Sequence, residues 1–171
     1  MLFRSLDWIY AQRASFDIAA VNISLGYSRF TDRATCDTEG SSSGYSAAVS
    51  RLRSNGTAVV AATANDGSGT GIAFPSCLTG VYGIGSTNDA GAVSSFSNRN
   101  ALMSYWAPGE SIVSSVPGGG TASASGTSMA TPHVAGAFAA LAAARSGATL
   151  DSLAARLATT GTAVTGDGYG K

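Results

Sequence analysis

The sequence predicts an α/β domain built on a mainly parallel sheet with helices on both faces. Three observations carry that prediction. Short, almost wholly apolar runs recur at residues 18–25, 57–62 and 81–86, as expected of strands buried on both faces rather than half-exposed ones. Segments with helical periodicity alternate with them, and that alternation is the mark of a parallel sheet with crossover helices. Gly, Asn and Asp punctuate the boundaries, as at Gly26, Asn55-Gly56 and Asn88-Asp89, where turns are expected. With 171 residues the chain is long enough for one domain, 1–171, with a sizeable core.

Each element follows in order. Residues 2–13 read as an amphipathic helix, with Leu2, Leu6, Ile9 and Tyr10 on one face. The run 18–25 is a first strand, ending at Gly26. Residues 27–43, rich in Ser, Asp and Gly, read as a surface loop. A second helix covers 45–54, with Val49 and Leu52 inward and Asn55-Gly56 as its stop. Residues 57–62 form a second strand, followed by the glycine-rich loop Asn65-Asp-Gly-Ser-Gly-Thr-Gly71. Three further strands are expected at 81–86, 102–107 and 112–116, the last closed by the turn Pro117-Gly-Gly-Gly120. An alanine-rich helix starts near Ser128 and runs to about Arg145, and Thr149 N-caps a short last helix over 150–157.

Composition excludes several functions. Ten basic and ten acidic residues balance to zero net charge, and charged residues make up only 12% of the chain. A nucleic-acid binder would carry a basic field. No signal peptide is visible, because Asp7 and Arg13 interrupt the N-terminal apolar residues. The one membrane-like stretch, 129–144, is too short to span and contains Pro132 and His133. Cys36 and Cys77, 41 positions apart, stay reduced in a cytosolic protein or form one bridge in an oxidising compartment.

The chemistry gathers at Gly126-Thr-Ser-Met-Ala-Thr-Pro-His-Val-Ala-Gly136. Ser128 stands where a glycine turn meets a helix. Its backbone N–H is an unpaired donor there, and the helix field favours developing negative charge. Pro132 cannot donate to the Ser128 carbonyl, so the first turn is locally irregular. His133 is the only histidine, but five residues rotate it by about 140° around the helix. Side chains meet at i,i+3 and i,i+4, so His133 is expected to pack rather than to serve Ser128. Asn65 follows a buried strand, and its amide offers a second donor for an oxyanion hole. Ligands in parallel sheets gather beyond the carboxyl ends of the strands. That brings Ser24-Leu-Gly26, Ala62-Thr-Ala-Asn65 and the loop before Ser128 to one place.

These residues carry a family resemblance. The run 126–136 closely resembles the nucleophile motif of the subtilisin-like serine proteases, the subtilases. Val21-Asn-Ile-Ser-Leu-Gly26 resembles their substrate-binding strand, and Ala61-Ala-Thr-Ala-Asn65-Asp-Gly67 the segment bearing the oxyanion asparagine. Ser94-Ser-Phe-Ser97 and Ala107-Pro-Gly109 match in order, so the resemblance covers nearly the whole chain. It implies peptide-bond hydrolysis through an acyl-enzyme on Ser128, with Asn65 and the Ser128 N–H as the oxyanion hole. In subtilisin, loss of that asparagine costs about 10²–10³ in kcat. Ser24, Leu25 and Gly26 would pair with substrate as an added strand. Ala62, Thr63 and Ala64 would line the specificity pocket, with Thr127 also at the substrate site. The Cys36/Cys77 pair resembles one in secreted bacterial subtilases, which implies a disulfide and an extracellular protein. The partners implied are a peptide or protein substrate, with no nucleic acid and no membrane.

Three departures temper the resemblance. The family's triad runs Asp, His, Ser along the chain, and both earlier members belong before the helix at 2–13. A domain truncated at both ends is therefore expected, since the chain also stops at Gly168-Tyr-Gly-Lys171. Such a chain should be inactive alone, with the missing N-terminal part as a potential partner. The family usually has glycine before the oxyanion asparagine, where this chain has Ala64. The acidic residues of the family's weaker calcium site are not matched near 102–106. No cofactor is expected for the chemistry; the resemblance allows structural calcium in the full-length enzyme, with no site supported in this chain. An alternative is a truncated, non-catalytic paralogue that binds peptides or an inhibitor. An α/β-hydrolase is excluded, because that fold needs a histidine after the serine's acid partner and none follows His133.

Overall fold

The computed structural model describes residues 2–164 and Tyr169, with side chains from Arg4 onward. The expected inward side chain of Leu2 and most of the chain end at 168–171 lie outside the described residues. In chain order the elements are α1 (Leu2–Phe16), β1 (Ala20–Ile23), β2 (Tyr27–Phe30), α2 (Arg33–Ser42) and α3 (Tyr45–Ser54). Then come β3 (Ala58–Ala62), β4 (Ile72–Phe74), β5 (Tyr82–Thr87), β6 (Tyr105–Pro108), β7 (Ile112–Ser115) and β8 (Thr121–Ala124). The last two are α4 (Thr127–Ala144) and α5 (Leu150–Thr160).

The central sheet has four parallel strands in the order β1-β3-β5-β6. Strand β3 explains why its sequence is apolar throughout, since every residue in it is buried. Its side chains alternate between two cores, as the pleat requires. Val59 and Ala61 join Leu6 of α1, Cys36 of α2 and Val49 and Leu52 of α3. Ala58 and Val60 face Ala130, Val134 and Phe138 of α4 and Leu150 and Leu153 of α5. Those α4 positions recur every fourth residue and make one stripe toward the sheet. Helices therefore cover both faces, and the fold class read from the sequence holds.

The element limits agree closely for α3, α4 and β5. Thr149 caps α5 as expected, accepting from Ser152 N. The segment 27–43 does not form the expected loop. Strand β2 pairs antiparallel with β4, and α2 begins after Asp32, whose side chain accepts from Thr35 N at 2.9 Å. Its Ser, Thr, Asp and Gly residues have weak helix propensity, and the helix is held from outside. Cys36 is fully buried and joined to Cys77 in a disulfide, with the Cα atoms 6.0 Å apart. Strand β7 is not part of the main sheet; it makes an exposed antiparallel hairpin with β8. Strand β6 starts at Tyr105, three residues later than its apolar run begins.

Candidate active site

Three chain segments meet at the carboxyl end of the central sheet. The first is Ser24-Leu-Gly26, which follows β1. Ser24 is half-buried, whereas Leu25 is 51% exposed. A side chain at position 26 would meet the Phe74 carbonyl oxygen at 2.7 Å, so only glycine lets this segment lie against β4.

The second segment is the start of α4. Gly126 precedes it with φ 157° and ψ 162°, a region open essentially to glycine alone. Thr127 is buried, and both its backbone N–H and its hydroxyl donate to Asn65 Oδ1, at 2.8 and 3.0 Å. Ser128 follows as the second helical residue. Its N–H is among the first donors of the helix, for which the helix itself has no carbonyl.

Ser128 and Ser24 bind each other twice. The Ser24 hydroxyl donates to the Ser128 carbonyl at 2.8 Å, and the Ser128 hydroxyl donates to the Ser24 carbonyl at 3.2 Å. The first bond follows from Pro132. Residue i+4 would normally donate to the Ser128 carbonyl, and proline has no N–H to give. A side chain from another strand fills the gap.

The third segment is the Asn65 loop. With Oδ1 held by Thr127, the amide is oriented and Nδ2 stands at its other end. A Cβ built on Gly126 would lie 3.3 Å from Asn65 Nδ2 and 3.7 Å from Ser128 N. Both donors thus border the space that the glycine leaves open. Ala62 and Thr63 are buried, and the Thr63 hydroxyl donates to the Asn98 carbonyl at 2.8 Å. Ala64 has φ 84°, a left-handed conformation uncommon for a residue with a side chain.

His133, among the described residues, makes no hydrogen bond to Ser128. Its Nδ1 lies 2.9 Å from the Met129 carbonyl, one turn back. It lines a cavity of about 390 Å³ together with Ser128, Ile112, Val113 and Pro132. A larger hollow of about 660 Å³, lined among others by Asp37, Arg53 and Asp151, holds none of these residues. Size therefore does not mark the chemistry here. Among the described residues no group of three or more His, Cys, Asp or Glu side chains stands together to hold a metal ion. No described helix is long and apolar enough to cross a membrane. Sequence reasoning overlooked Asn98. It is buried at the heart of the Asn65 loop, in a polar run, Ser97-Asn-Arg-Asn100, that carries no sign of burial.

A parallel sheet, a glycine turn and a serine at a helix start are features that α/β serine hydrolases share with other α/β proteins. The family is narrower still. The model of the subtilase family matches residues 4–170, and the chain belongs to that family of serine peptidases. Subtilisin-like protease 3 of Trichophyton equinum is 36% identical over 143 residues, covering 82% of this chain and 33% of that protein. Subtilisin-like protease 4 of Arthroderma gypseum is 37% identical over 125 residues, covering 73% of this chain and 28% of its own. An intracellular serine protease of Paenibacillus polymyxa is 47% identical over 85 residues, covering 47% of this chain and 26% of that protein. Among solved structures, the self-cleaved protease domain of PatA superposes with a TM-score of 0.78 at 28% identity, covering 96% of this chain and 60% of that one. The prenylagaramide maturation protease PagA gives 0.75 at 28% identity, covering 94% and 56%. The chain thus spans over half the length of these structures and about a third or less of the curated relatives.

Proposed function

We propose that residues 1–171 are the nucleophile-bearing part of a serine endopeptidase that cleaves peptide bonds through an acyl-enzyme on Ser128. The observation that carries this reading is that the Asn65 side chain, held by Thr127, stands beside the start of α4 with its Nδ2 next to the space at Gly126 and close to Ser128 N. In this reading an oxyanion formed when Ser128 Oγ attacks a peptide carbonyl is held there by two fixed donors. The peptide lies along Ser24, Leu25 and Gly26 as an added strand. Ala62, Thr63 and Ala64 form a wall of the side-chain pocket, and Thr127 holds Asn65 in place. The base and its acid partner come from outside residues 1–171. Until they are present the Ser128 hydroxyl rests on the Ser24 carbonyl, and the chain alone is inactive. The disulfide supports an extracellular setting, since such bonds persist in oxidising compartments.

The idle Ser128 hydroxyl also supports a second reading, a non-catalytic peptide or inhibitor binder. A fluorophosphonate probe separates these ideas. The isolated chain should label slowly or not at all, because only residual rate survives loss of triad members. Joined to a subtilase N-terminal part that supplies Asp and His, it should label rapidly at Ser128 and hydrolyse peptides. Rapid stoichiometric labelling of the isolated chain would overturn the predicted inactivity. A completed domain that binds peptide but neither labels nor hydrolyses would favour the binder.

A further inference from the structure

We propose that Asn98 is the positioning residue for Asn65; this rests on the reading of Asn65 as an oxyanion donor. Asn98 lies outside every strand and helix, yet it is 0% exposed. Its backbone N–H donates to the Ala64 carbonyl at 3.0 Å. Its side-chain Oδ1 accepts from both Asp66 N and Ser68 N at 2.9 Å. Its Nδ2 donates to Asp66 Oδ2 at 3.0 Å, and its carbonyl accepts from the Thr63 hydroxyl at 2.8 Å. Two neighbours add to the grip: Gly67 N donates to the Phe96 carbonyl at 2.7 Å, and Arg99 N to the Ser68 carbonyl at 2.8 Å.

The pattern of these bonds carries the inference. From Thr63 to Ser68 every residue but one bonds to the segment 96–99 among the described residues. The exception is Asn65, whose side chain bonds to Thr127 instead. The residues on either side of Asn65 are both tied to Asn98, Ala64 by the Asn98 backbone N–H and Asp66 by the Asn98 side chain. One buried residue thus sets where Asn65 leaves the loop, and its side chain sets the Asp66 half. Asn98 also accounts for Ala64. A left-handed alanine persists only where its surroundings over-determine it, and its carbonyl is held by the Asn98 N–H.

The position is also chemically selective. It needs one oxygen that accepts twice and one nitrogen that donates, which the asparagine amide provides. Aspartate keeps the acceptors but sets a carboxylate oxygen against Asp66. Exchanging the two residues restores the bond with its direction reversed.

The test is nuclear magnetic resonance on the full ¹⁵N-labelled chain, comparing Asn98→Asp with the exchange variant Asn98→Asp/Asp66→Asn. In Asn98→Asp the Asn65 side-chain amide signals should shift, and the Asp66 and Ser68 amides should exchange on the order of 10–100-fold faster. The amides of β3 should keep their rates. The exchange variant should return the Asn65 signals to their native positions. Unmoved Asn65 signals in a folded Asn98→Asp would overturn the proposal. So would equal acceleration throughout β3 and α4, which marks a merely structural role. If Asn98→Asp does not fold, the exchange variant decides: native Asn65 signals support the proposal, and displaced ones overturn it. None of these readouts depends on hydrolysis. A completed domain that fails to cleave peptides would sink the protease reading, whereas the positioning of Asn65 by Asn98 stands or falls on these signals alone.

Discussion

At the scale of single residues, the unusual backbone positions and their rescuers form pairs. Pro132 denies the Ser128 carbonyl its helical partner, and the Ser24 hydroxyl supplies one at 2.8 Å. Ser24→Ala should therefore destabilise by about 1–2 kcal/mol, the cost of an orphaned, partly buried acceptor. Pro132→Ala restores an N–H, so in that background Ser24→Ala should cost only a few tenths of a kcal/mol. Urea midpoints of the four proteins check this; equal Ser24→Ala losses with and without Pro132 would contradict it. Ala64 is the second case. With φ 84° it bears strain of about 1–2 kcal/mol, and glycine removes that strain while gaining unfolded-state freedom worth about 0.4–1 kcal/mol. Ala64→Gly should raise stability by up to about 1 kcal/mol, read as a higher urea midpoint at unchanged slope. A lower midpoint would mean that the alanine methyl makes packing contacts worth more than the strain.

At the scale of elements, α2 best shows how context overrides local preference. Its sequence, Arg-Ala-Thr-Cys-Asp-Thr-Glu-Gly-Ser-Ser, is a poor helix former. Asp32 starts it, and the Cys36–Cys77 bridge ties it to the turn before β5. Asp37 adds two bonds to Thr79, at 2.8 and 2.7 Å. The bridge closes a loop of 41 positions, for which chain entropy gives about 4 kcal/mol at most. Replacing both cysteines by alanine should lower stability by about 2–4 kcal/mol, with the loss of amide protection greatest in α2. Both sulfurs are buried, so reductant without denaturant should act slowly. Unchanged melting of the double-alanine chain would show that α2 stands without its staple. The cysteine spacing left bridge and free thiols equally open, because nothing local says where residues 36 and 77 meet in space.

At the scale of the whole molecule, the sheet ends abruptly. Strand β1 pairs with β3 alone, so among the described residues its outer edge is bare. Leu25, 51% exposed, lines a groove along that edge together with Leu6, Ile9, Val21 and Ile23. An open strand edge beside apolar surface is a template for pairing. The chain alone should self-associate as concentration rises, measured by sedimentation velocity; a monomer at all concentrations with a cooperative melt would contradict this. Much of this molecule was legible in the sequence. The wholly apolar run at 58–62 meant a strand buried on both faces. Gly126 and Pro132 announced an irregular helix start. These are local facts of periodicity, φ and hydrogen-bond inventory, and a chain carries them wherever it folds. What only the tertiary structure decided were the meetings between distant residues. Ser24 and Ser128 are 104 positions apart, Asn65 and Thr127 are 62, and Asp66 and Asn98 are 32. The strand role of 27–30 and 72–74 likewise appears only when the two segments pair, because a short edge strand has no periodicity of its own to display.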